Sequence, residues 1–348
     1  MNEKIFCDPF AKSGEMVNET VMLMEKAGKC WGELLFSPKK IEGVYNSART
    51  VRYREGVDYQ IEGRRITVLP GSSMPYLTWE QYNGRDLPAQ ILQDMQKYNF
   101  KIVYSDGPFL FSHQISVDYD YDASEDFFAE LEALRPENKA ELFPAFSKKC
   151  KEGGRIQILW YGDSISVGHD SSGFNHIAPF LPPMAEFVRQ KIAAFTGAET
   201  VLDNQSLAGM TSGWAVENAS ERLSGKKPDL AVFAWGMNDG TGWVSPTQFQ
   251  KNILQLTEYL PCSEFLLVGP MLPNADSGFR HCQLDYSDAL SALEKVSVGF
   301  VDMGKFHQKL LERKKFIDIS SNNINHPNDF MIRCYAWRIL KTLGMAGD

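Results

Sequence analysis

Long apolar runs are missing from this sequence: no stretch of about 18 apolar residues occurs, which is the length that a membrane-spanning helix needs. The first nine residues also contain no apolar segment of signal-peptide length. Acidic residues outnumber basic ones, 44 against 36, and the net charge is −8. This excess disfavours nucleic acid or an anionic membrane as the main partner. We therefore predict a cytoplasmic protein that binds neither.

The sequence also lacks the motifs of metal and nucleotide sites. Its six cysteines are scattered without a CxxC pair, so without a secretion signal they are expected to be free thiols. There is no HExxH motif and no pair of histidines at i, i+4 spacing, which argues against a metal site. GxGxxG and Walker-type loops are absent as well. We predict no metal and no cofactor.

The residue pattern divides the chain in two. A length of 348 residues, of which 43% are hydrophobic, favours two domains over one. In the first part, short alternating segments such as Ile115–Tyr121 are separated by turn residues such as Glu62-Gly63. This pattern predicts an antiparallel sheet or small β-sandwich with one face in water. We predict a β-rich, jelly-roll-like domain over residues 1–136 and a second domain over residues 137–348.

In the second part, unbroken apolar runs alternate with segments of helix length. This alternation predicts an α/β fold with a parallel sheet between two layers of helices. The carboxyl ends of the strands would then meet at one edge. The predicted strands are Ile156–Tyr161, Thr200–Asn204, Leu230–Trp235, Phe265–Gly269 and Gly299–Asp302. The predicted helices are Asn138–Cys150, Met184–Phe195, Trp214–Leu223, Pro246–Leu260, Tyr286–Lys295 and Asp329–Leu343.

A candidate nucleophile follows the first of these strands. Gly162-Asp163-Ser164 stands where the strand turns into a helix, so it would expose a hydroxyl and free backbone N–H groups at the sheet edge. It is not the GxSxG motif of α/β-hydrolases, because position 166 is serine. By itself the tripeptide is also compatible with an ordinary loop.

Two candidate oxyanion donors follow the second and third strands. Gly209 precedes a helix and can offer its N–H group to a ligand at close approach. Asn238, in Gly236-Met237-Asn238-Asp239-Gly240, can donate from its amide. Each is individually weak, since loop glycines are common and Asn-Asp-Gly also favours a plain turn.

A candidate general base lies near the end of the chain. His326, in Asn325-His326-Pro327-Asn328-Asp329, directly precedes the last predicted helix. From there it could reach Ser164 across the strand edge. The alternative is a surface histidine beside a helix cap formed by Asn328 or Asp329.

Taken together, Ser164, Gly209, Asn238 and His326 resemble, in order and context, the signature residues of the SGNH (GDSL-like) hydrolases. The resemblance covers roughly residues 150–345. It implies a flavodoxin-like αβα sandwich in which the N–H groups of Ser164 and Gly209 and the Asn238 amide form the oxyanion hole. It also implies ester hydrolysis, often of acetyl or acyl groups on sugars or lipids. The two-part layout resembles carbohydrate esterases in which a jelly-roll module precedes such a domain.

The sequence departs from the family where the acid of the triad is expected, three residues before the histidine. That position is Asn323, and an amide cannot supply the negative charge that stabilises an imidazolium. Three explanations are open: a Ser164–His326 dyad with Asn323 or a backbone carbonyl as orienting group, a carboxylate from Asp318 or Asp329, or loss of activity. We favour the dyad.

The resulting functional prediction is a serine esterase for short-chain, acetyl esters on carbohydrates. A small-molecule or oligosaccharide ester is the predicted partner, and Trp243, in a glycine-rich turn, is the candidate substrate contact. The alternatives are a lipase or thioesterase, and a catalytically impaired carbohydrate-binding protein.

Overall fold

The computed structural model describes residues 14–134 and 137–345. Its strands are β1 Glu15–Met22, β2 Met24–Lys26, β3 Lys29–Glu33, β4 Pro38–Asn46, β5 Arg52–Tyr53, β6 Tyr59–Glu62, β7 Arg65–Val68, β8 Leu77–Thr78, β9 Gln114–Tyr121, β10 Arg155–Gly162, β11 Glu199–Asn204, β12 Leu230–Ala234, β13 Glu264–Val268 and β14 Val298–Val301.

The α-helices are α1 Trp79–Tyr82, α2 Ala89–Tyr98, α3 Pro108–His113, α4 Asp126–Ala133, α5 Pro144–Glu152, α6 Ser164–Val167, α7 Met184–Thr196, α8 Ser212–Glu217, α9 Ala219–Leu223, α10 Met237–Thr241, α11 Pro246–Thr257, α12 Tyr286–Ser291, α13 Met303–Leu310, α14 Phe316–Ile319 and α15 Asp329–Thr342. Among the described residues, 3₁₀ turns cover Ala140–Leu142 and Ala275–Ser277. No helix within residues 14–134 and 137–345 combines the length and apolar character required to cross a membrane.

The α/β prediction for the second part of the chain is confirmed. Strands β10 to β14 form one parallel sheet in the order β11-β10-β12-β13-β14. The chain therefore starts in the interior of the sheet, moves to one edge and then returns to build the other side. In such doubly wound sheets, ligands bind beyond the carboxyl ends of the strands near the point of reversal. Here that point lies between β10 and its neighbours β11 and β12.

Helices cover both faces of this sheet because successive strand residues point to opposite sides. In β10, Ile158 and Trp160 pack in one hydrophobic core, whereas Leu159 and Tyr161 pack in the other. The first core includes residues of α7, α13 and α15, and the second includes residues of α8, α9, α11 and α12. All four of these β10 side chains are buried, which explains the unbroken apolar run in the sequence.

Two predicted helices differ in detail from the observed ones. The single helix predicted over Trp214–Leu223 is two helices, which meet at Asn218; the side chain of Asn218 donates to the Trp214 carbonyl at 2.8 Å. The helix predicted over Asn138–Cys150 begins only at Pro144, after a 3₁₀ turn. Proline favours the first position of a helix, where its missing N–H group needs no partner.

The prediction that the N-terminal sheet has one face in water is wrong for strands β1 and β9. One antiparallel sheet has the order β1-β9-β4-β5 and a second sheet the order β6-β7-β3-β2-β8. Seven of the eight residues of β1 are buried, and β9 is buried along most of its length. Two polar residues of these strands are buried against residues 314–328 and do not face solvent: Glu19 pairs with Lys314, and the Gln114 side chain donates to the Ile317 carbonyl.

The N-terminal sheets share a hydrophobic core with the parallel sheet. Val21 and Leu34 pack in the same cluster as Ile332 and Ile339 of α15. All residues of α15 except Lys341 are buried, because the helix lies between the parallel sheet and strand β1. Its Arg333 donates to the Val17 carbonyl at 2.9 Å. The domain boundary at residue 136 falls on a residue outside the described ranges and stays a prediction.

Candidate active site

The turn between β10 and α6 holds Ser164 at the carboxyl end of the central strand. Gly162 is required here, because a Cβ at this position would lie 2.2 Å from the Ser166 Oγ and 2.4 Å from the Ala234 carbonyl oxygen. Asp163 caps the helix by accepting from the Ile165 N–H at 3.0 Å. As the first residue of α6, Ser164 has a backbone N–H with no acceptor within the helix.

The turn before α15 holds His326. The Asn322 Oδ1 atom accepts from the backbone N–H groups of Ile324, Asn325 and His326, each at 3.0 Å. The helix itself is capped by Asn328, whose side chain accepts from the third residue of α15. The helix cap and the turn together fix the direction in which the His326 side chain points.

A continuous hydrogen-bonded chain links Ser164, His326 and Asp170. The Nε2 atom of His326 lies 2.9 Å from the Ser164 Oγ. Its Nδ1 atom lies 2.6 Å from the Asp170 Oδ2. Because a carboxylate only accepts hydrogen bonds, this contact places the ring proton on Nδ1 and leaves the Nε2 lone pair directed at the serine hydroxyl. The imidazole is therefore arranged to remove a proton from Ser164.

Asp170 is the functional residue that the sequence analysis missed. It stands six positions after Ser164 in a turn with φ of +65°, a conformation in which aspartate is several-fold enriched over most residues. The N–H of Gly107, from the N-terminal part, donates to its Oδ1 at 3.1 Å. The sequence signal was limited to an aspartate soon after Gly168 in a loop, which many solvent-exposed turns also contain.

The electrostatics of the pair match the geometry. Burial by itself would raise the pKa of Asp170, but the hydrogen bond and charge of His326 outweigh it and the pKa is lowered. Burial likewise opposes the charged form of His326, yet the hydrogen bond to Asp170 and the charges of Asp170, Asp106 and Asp163 raise its pKa above 6.5. The site therefore stabilises the imidazolium that proton removal from Ser164 creates.

The structure corrects the prediction that Asn323 orients the histidine. The Asn323 Nδ2 donates to the Val103 carbonyl at 3.0 Å, and its Oδ1 accepts from the Asn274 Nδ2 at 3.1 Å. Asn323 has φ of +63°. Its side chain bonds to these neighbouring segments, and not to the His326 ring, and so anchors the loop that carries His326. The preferred dyad is corrected as well, since a carboxylate, Asp170, occupies the Nδ1 side of His326.

Neither of the two alternative acids contacts the histidine. The Asp318 carboxylate accepts from the Met22 and Lys315 N–H groups at 2.8 and 2.9 Å. The Asp329 Oδ1 accepts from the Ser172 N–H at 2.9 Å, and burial raises the pKa of Asp329 to about 6. Both carboxylates stabilise the fold around the site.

The two predicted oxyanion donors line the same cavity as Ser164 and His326. Gly209 has φ of +79°, and a Cβ there would meet no atom within 4 Å, so its backbone faces open space. The Asn238 Nδ2 donates one hydrogen to the Met210 carbonyl at 2.8 Å. An amide nitrogen carries two hydrogens, which leaves the second for a ligand. Asn238 thus also fastens the loop that carries Gly209.

Replacing Asn238 by aspartate is expected to lower kcat for ester hydrolysis by about 10²–10³-fold with little change in KM, the effect of removing one oxyanion donor. Aspartate keeps the shape of the side chain but has no N–H to donate. The measurement is steady-state kinetics on p-nitrophenyl acetate, with thermal unfolding as the control for loop damage. A stable variant with unchanged kcat would exclude Asn238 from the oxyanion hole.

The cavity over these residues has a volume of about 330 Å³. Besides the residues named above, its walls include His169, Phe279 and residues of the N-terminal part. Trp243, the predicted substrate contact, does not belong to this lining: it is 68% exposed and stacks on His281 at a ring distance of 3.8 Å. The structure therefore separates Trp243 from the other predicted site residues.

No family model matches the chain, and no curated relative matches it either. Several solved structures are similar to part of it. LAE5, an α/β hydrolase enzyme from the metagenome of Lake Arreo, Spain, is 20% identical with a TM-score of 0.45, over 56% of this chain and 97% of that one. Axe2, an acetylxylan esterase from Geobacillus stearothermophilus, is 17% identical with a TM-score of 0.44, over 56% and 97%.

A third similar structure is a two-domain esterase, CEX, which is active on acetylated mannans and was co-crystallised with mannopentaose. It is 19% identical with a TM-score of 0.48. The match covers 61% of this chain and 54% of that protein, so this chain spans about half of its length.

The N-terminal part fixes the loop that carries His326. The Gln114 side chain donates to the Ser320 carbonyl at 2.9 Å, and the Thr20 hydroxyl donates to the Asp318 carbonyl at 2.6 Å. All of these groups are buried and cannot bind water, so these hydrogen bonds supply the partners that the buried carbonyl groups of the loop need. Together with the Gly107 bond to Asp170, they make the N-terminal part a support for the site.

Three donor atoms of Asp106, Asp170 and His326 lie within 4.8 Å of one another. A cation there would have to displace the proton that joins His326 to Asp170 at 2.6 Å. That proton sets the ring tautomer. With an ion bound at Nδ1 in its place, the Nε2 lone pair would no longer be directed at the Ser164 hydroxyl. The geometry fits a proton-transfer site better than a metal centre.

Proposed function

We propose that this protein is a serine ester hydrolase of the SGNH type that removes short acyl groups, acetyl above all, from carbohydrates. The hydrogen-bonded chain from Asp170 through His326 to Ser164 is the observation that supports the proposal most strongly. These three groups have the same relative roles as the triad of serine hydrolases, which recurs on unrelated folds. The doubly wound strand order and the position of Ser164 beyond β10 agree with it.

The first half-reaction forms an acyl-enzyme. The Ser164 hydroxyl gives its proton to the His326 Nε2, and the Oγ atom bonds to the ester carbonyl carbon. The carbonyl π electrons move to the oxygen, which is held by the N–H groups of Ser164 and Gly209 and by the Asn238 amide. The tetrahedral intermediate collapses when the carbon–oxygen bond to the alcohol breaks, and His326 returns the proton to the departing oxygen.

The second half-reaction uses water in place of the serine hydroxyl. Water gives a proton to the His326 Nε2 and bonds to the acyl carbon. When the second intermediate collapses, the bond to the Ser164 Oγ breaks and the proton returns to that oxygen. The products are the carboxylic acid and the free enzyme. In both halves Asp170 stays ionised and stabilises the imidazolium.

The proposed preference for short acyl groups follows from the dimensions of the site. A cavity of about 330 Å³ is at the small end of the range for ligand sites, and it has to hold both the acyl group and part of the alcohol. The test is a series of p-nitrophenyl esters of increasing chain length. A kcat/KM that rises with chain length would instead support the lipase alternative.

Labelling by a fluorophosphonate probe tests the nucleophile directly. We expect the wild-type protein to gain one covalent phosphonyl group on Ser164, located by mass spectrometry of the digested protein. Ser166→Ala is a matched control that should label like the wild type, because this neighbouring hydroxyl is buried and has no hydrogen-bond partner among the described residues. A wild-type protein that stays unlabelled would support the impaired carbohydrate-binding alternative.

A further inference from the structure

One wall of the catalytic cavity comes from the N-terminal part of the chain. Tyr98, Phe100, Tyr104 and Asp106 all line this cavity together with Ser164 and His326. Tyr98 is the last residue of α2, and the other three belong to the short segment that connects α2 to α3. This segment reverses direction at Asn99, which has φ of +58°. The cavity is therefore completed by residues that lie outside the parallel-sheet part.

The aromatic residues of this segment present one accessible ring to the cavity. Phe100 and Tyr104 are 8% exposed, whereas Tyr98 is 47% exposed. The Tyr98 ring stands nearly perpendicular to that of Tyr104, at 82° and 5.5 Å, so the buried rings hold it in place. A single rigid, exposed ring offers an apolar surface on which a flat, weakly polar ligand face can pack.

Beside this ring lies a row of hydrogen-bonding groups. The Asp106 side chain is 54% exposed. Its carboxylate accepts from the Tyr104 hydroxyl and, at 3.3 Å, from the Asn322 amide. The Asn325 Oδ1 accepts from the same Asn322 amide at 3.2 Å, and Asn325 also lines the cavity. The carboxylate retains unused acceptor positions, and the amides combine donors with acceptors, so the row suits hydroxyl groups that do both.

The charges around the cavity limit which alcohol portion of an ester substrate can bind there. Among the described residues, the lining of this cavity contains no lysine or arginine, the side chains that hold phosphate groups. A phosphorylated alcohol or thiol would also meet the Asp106 carboxylate. The Lys97 ammonium, which does not line the cavity, lies over the Tyr98 ring at 4.9 Å and would repel a cationic alcohol bound at that ring. A neutral alcohol with several hydroxyls remains.

We propose that residues 98–106 form a binding subsite for the sugar ring of the alcohol portion of the substrate. In this arrangement the sugar ring packs on the part of Tyr98 that lines the cavity, its hydroxyls bind Asp106 and Asn325, and the acyl group lies at Ser164. This proposal rests on the esterase function proposed above and adds the residues that select the alcohol. It also gives the N-terminal part a direct role in substrate recognition.

The experiment compares two substrates in each variant: acetylated xylotriose, which carries sugar rings, and ethyl acetate, which has no ring to pack on Tyr98. Tyr98→Ala is expected to lower kcat/KM for acetylated xylotriose about tenfold more than for ethyl acetate, the size of a lost aromatic contact. Asp106→Asn should shift the same ratio in the same direction. It is measured at a pH above the midpoint of the His326 titration, so that loss of a nearby charge does not alter the ionisation of the base.

Tyr76→Ala is the matched control, since Tyr76 is similarly exposed, at 42%, and does not line the cavity; the ratio of the two substrates should not change. Thermal unfolding shows whether each variant is folded. Equal losses on both substrates in Tyr98→Ala, or a wild-type preference for acetylthiocholine over acetylated xylotriose, would overturn the subsite. Failure of the esterase proposal gives a different result, in which neither acetyl ester is cleaved and Ser164 is not labelled.

Discussion

Replacing Asp170 by asparagine is expected to lower kcat/KM for p-nitrophenyl acetate by about 10⁴-fold, the loss that the corresponding change causes in a serine protease. The contacts of Asp170 give a specific reason. Its Oδ1 accepts from the Gly107 N–H at 3.1 Å, while Oδ2 faces the His326 Nδ1 at 2.6 Å. In the variant, the amide oxygen stays with Gly107 and the NH₂ group faces the ring. The ring proton then moves to Nε2, which can no longer accept from Ser164.

The pH profile separates this explanation from a general loss of structure. The rise of kcat/KM with pH reports the pKa of the base in the free enzyme. In the wild type we expect this midpoint above 6.5, because Asp170 and the neighbouring carboxylates raise the pKa of His326. Removing the charge of Asp170 should move the midpoint of the residual activity to lower pH. A reduced rate with an unchanged midpoint would contradict the role of Asp170.

Asp329→Asn is the matched control for this variant. Asp329 is also a buried aspartate near His326, but its Oδ1 accepts from Ser172, and asparagine can accept the same bond. We expect activity close to that of the wild type. Equal damage from Asp329→Asn and Asp170→Asn would mean that the histidine is sensitive to any change in the surrounding packing and would remove the case for a triad.

Ser164→Ala and His326→Ala are each expected to lower kcat by about 10⁶-fold, and the double variant to lose no more than either single one. The reason is that the two side chains act on one proton: without the hydroxyl there is nothing for Nε2 to activate, and without Nε2 the hydroxyl is a weak nucleophile. The contact of 2.9 Å between Oγ and Nε2 makes this non-additivity a direct test of the pair.

The measurement is single-turnover kinetics on p-nitrophenyl acetate, combined with thermal unfolding of all three variants. Ser166→Ala serves again as the control, because it removes a hydroxyl two positions away without touching the proton-transfer chain. If the loss of activity in the double variant, relative to the wild type, equalled the product of the two single losses, Ser164 and His326 would contribute independently. The proposed acyl-transfer mechanism would then be wrong.

Local pattern was sufficient to predict the parallel sheet, because a strand buried on both faces has an unbroken apolar run. The predicted strand Ile156–Tyr161 lies within the observed β10, Arg155–Gly162, and the other four strands agree within one residue at each end. The N-terminal part was harder to interpret. Its alternating strands indicated a surface in water, but polar residues on a strand also alternate when they face a buried polar partner, as Gln114 does with Ser320.

The site was predictable to the extent that its groups lie at the ends of regular elements. Ser164, Gly209, Asn238 and His326 each follow a strand or precede a helix, so the sheet topology brings them to one edge. Asp170 lies in an irregular turn, and Tyr98 and Asp106 belong to a part of the chain that the sequence analysis left without a role. Nothing in the local sequence indicates which distant loop these residues meet.

The sequence by itself therefore determined the layered α/β architecture and the four groups at the rim of the sheet, since both follow from periodicity and from the order of the elements. Only the tertiary structure decided which side chain orients His326: it is the carboxylate of Asp170 and not the amide of Asn323. It also decided that the N-terminal part supports Asp170 through Gly107 and closes the cavity. The physical reason is that hydrogen-bond partners distant along the chain are selected by how loops pack, and packing depends on the whole fold.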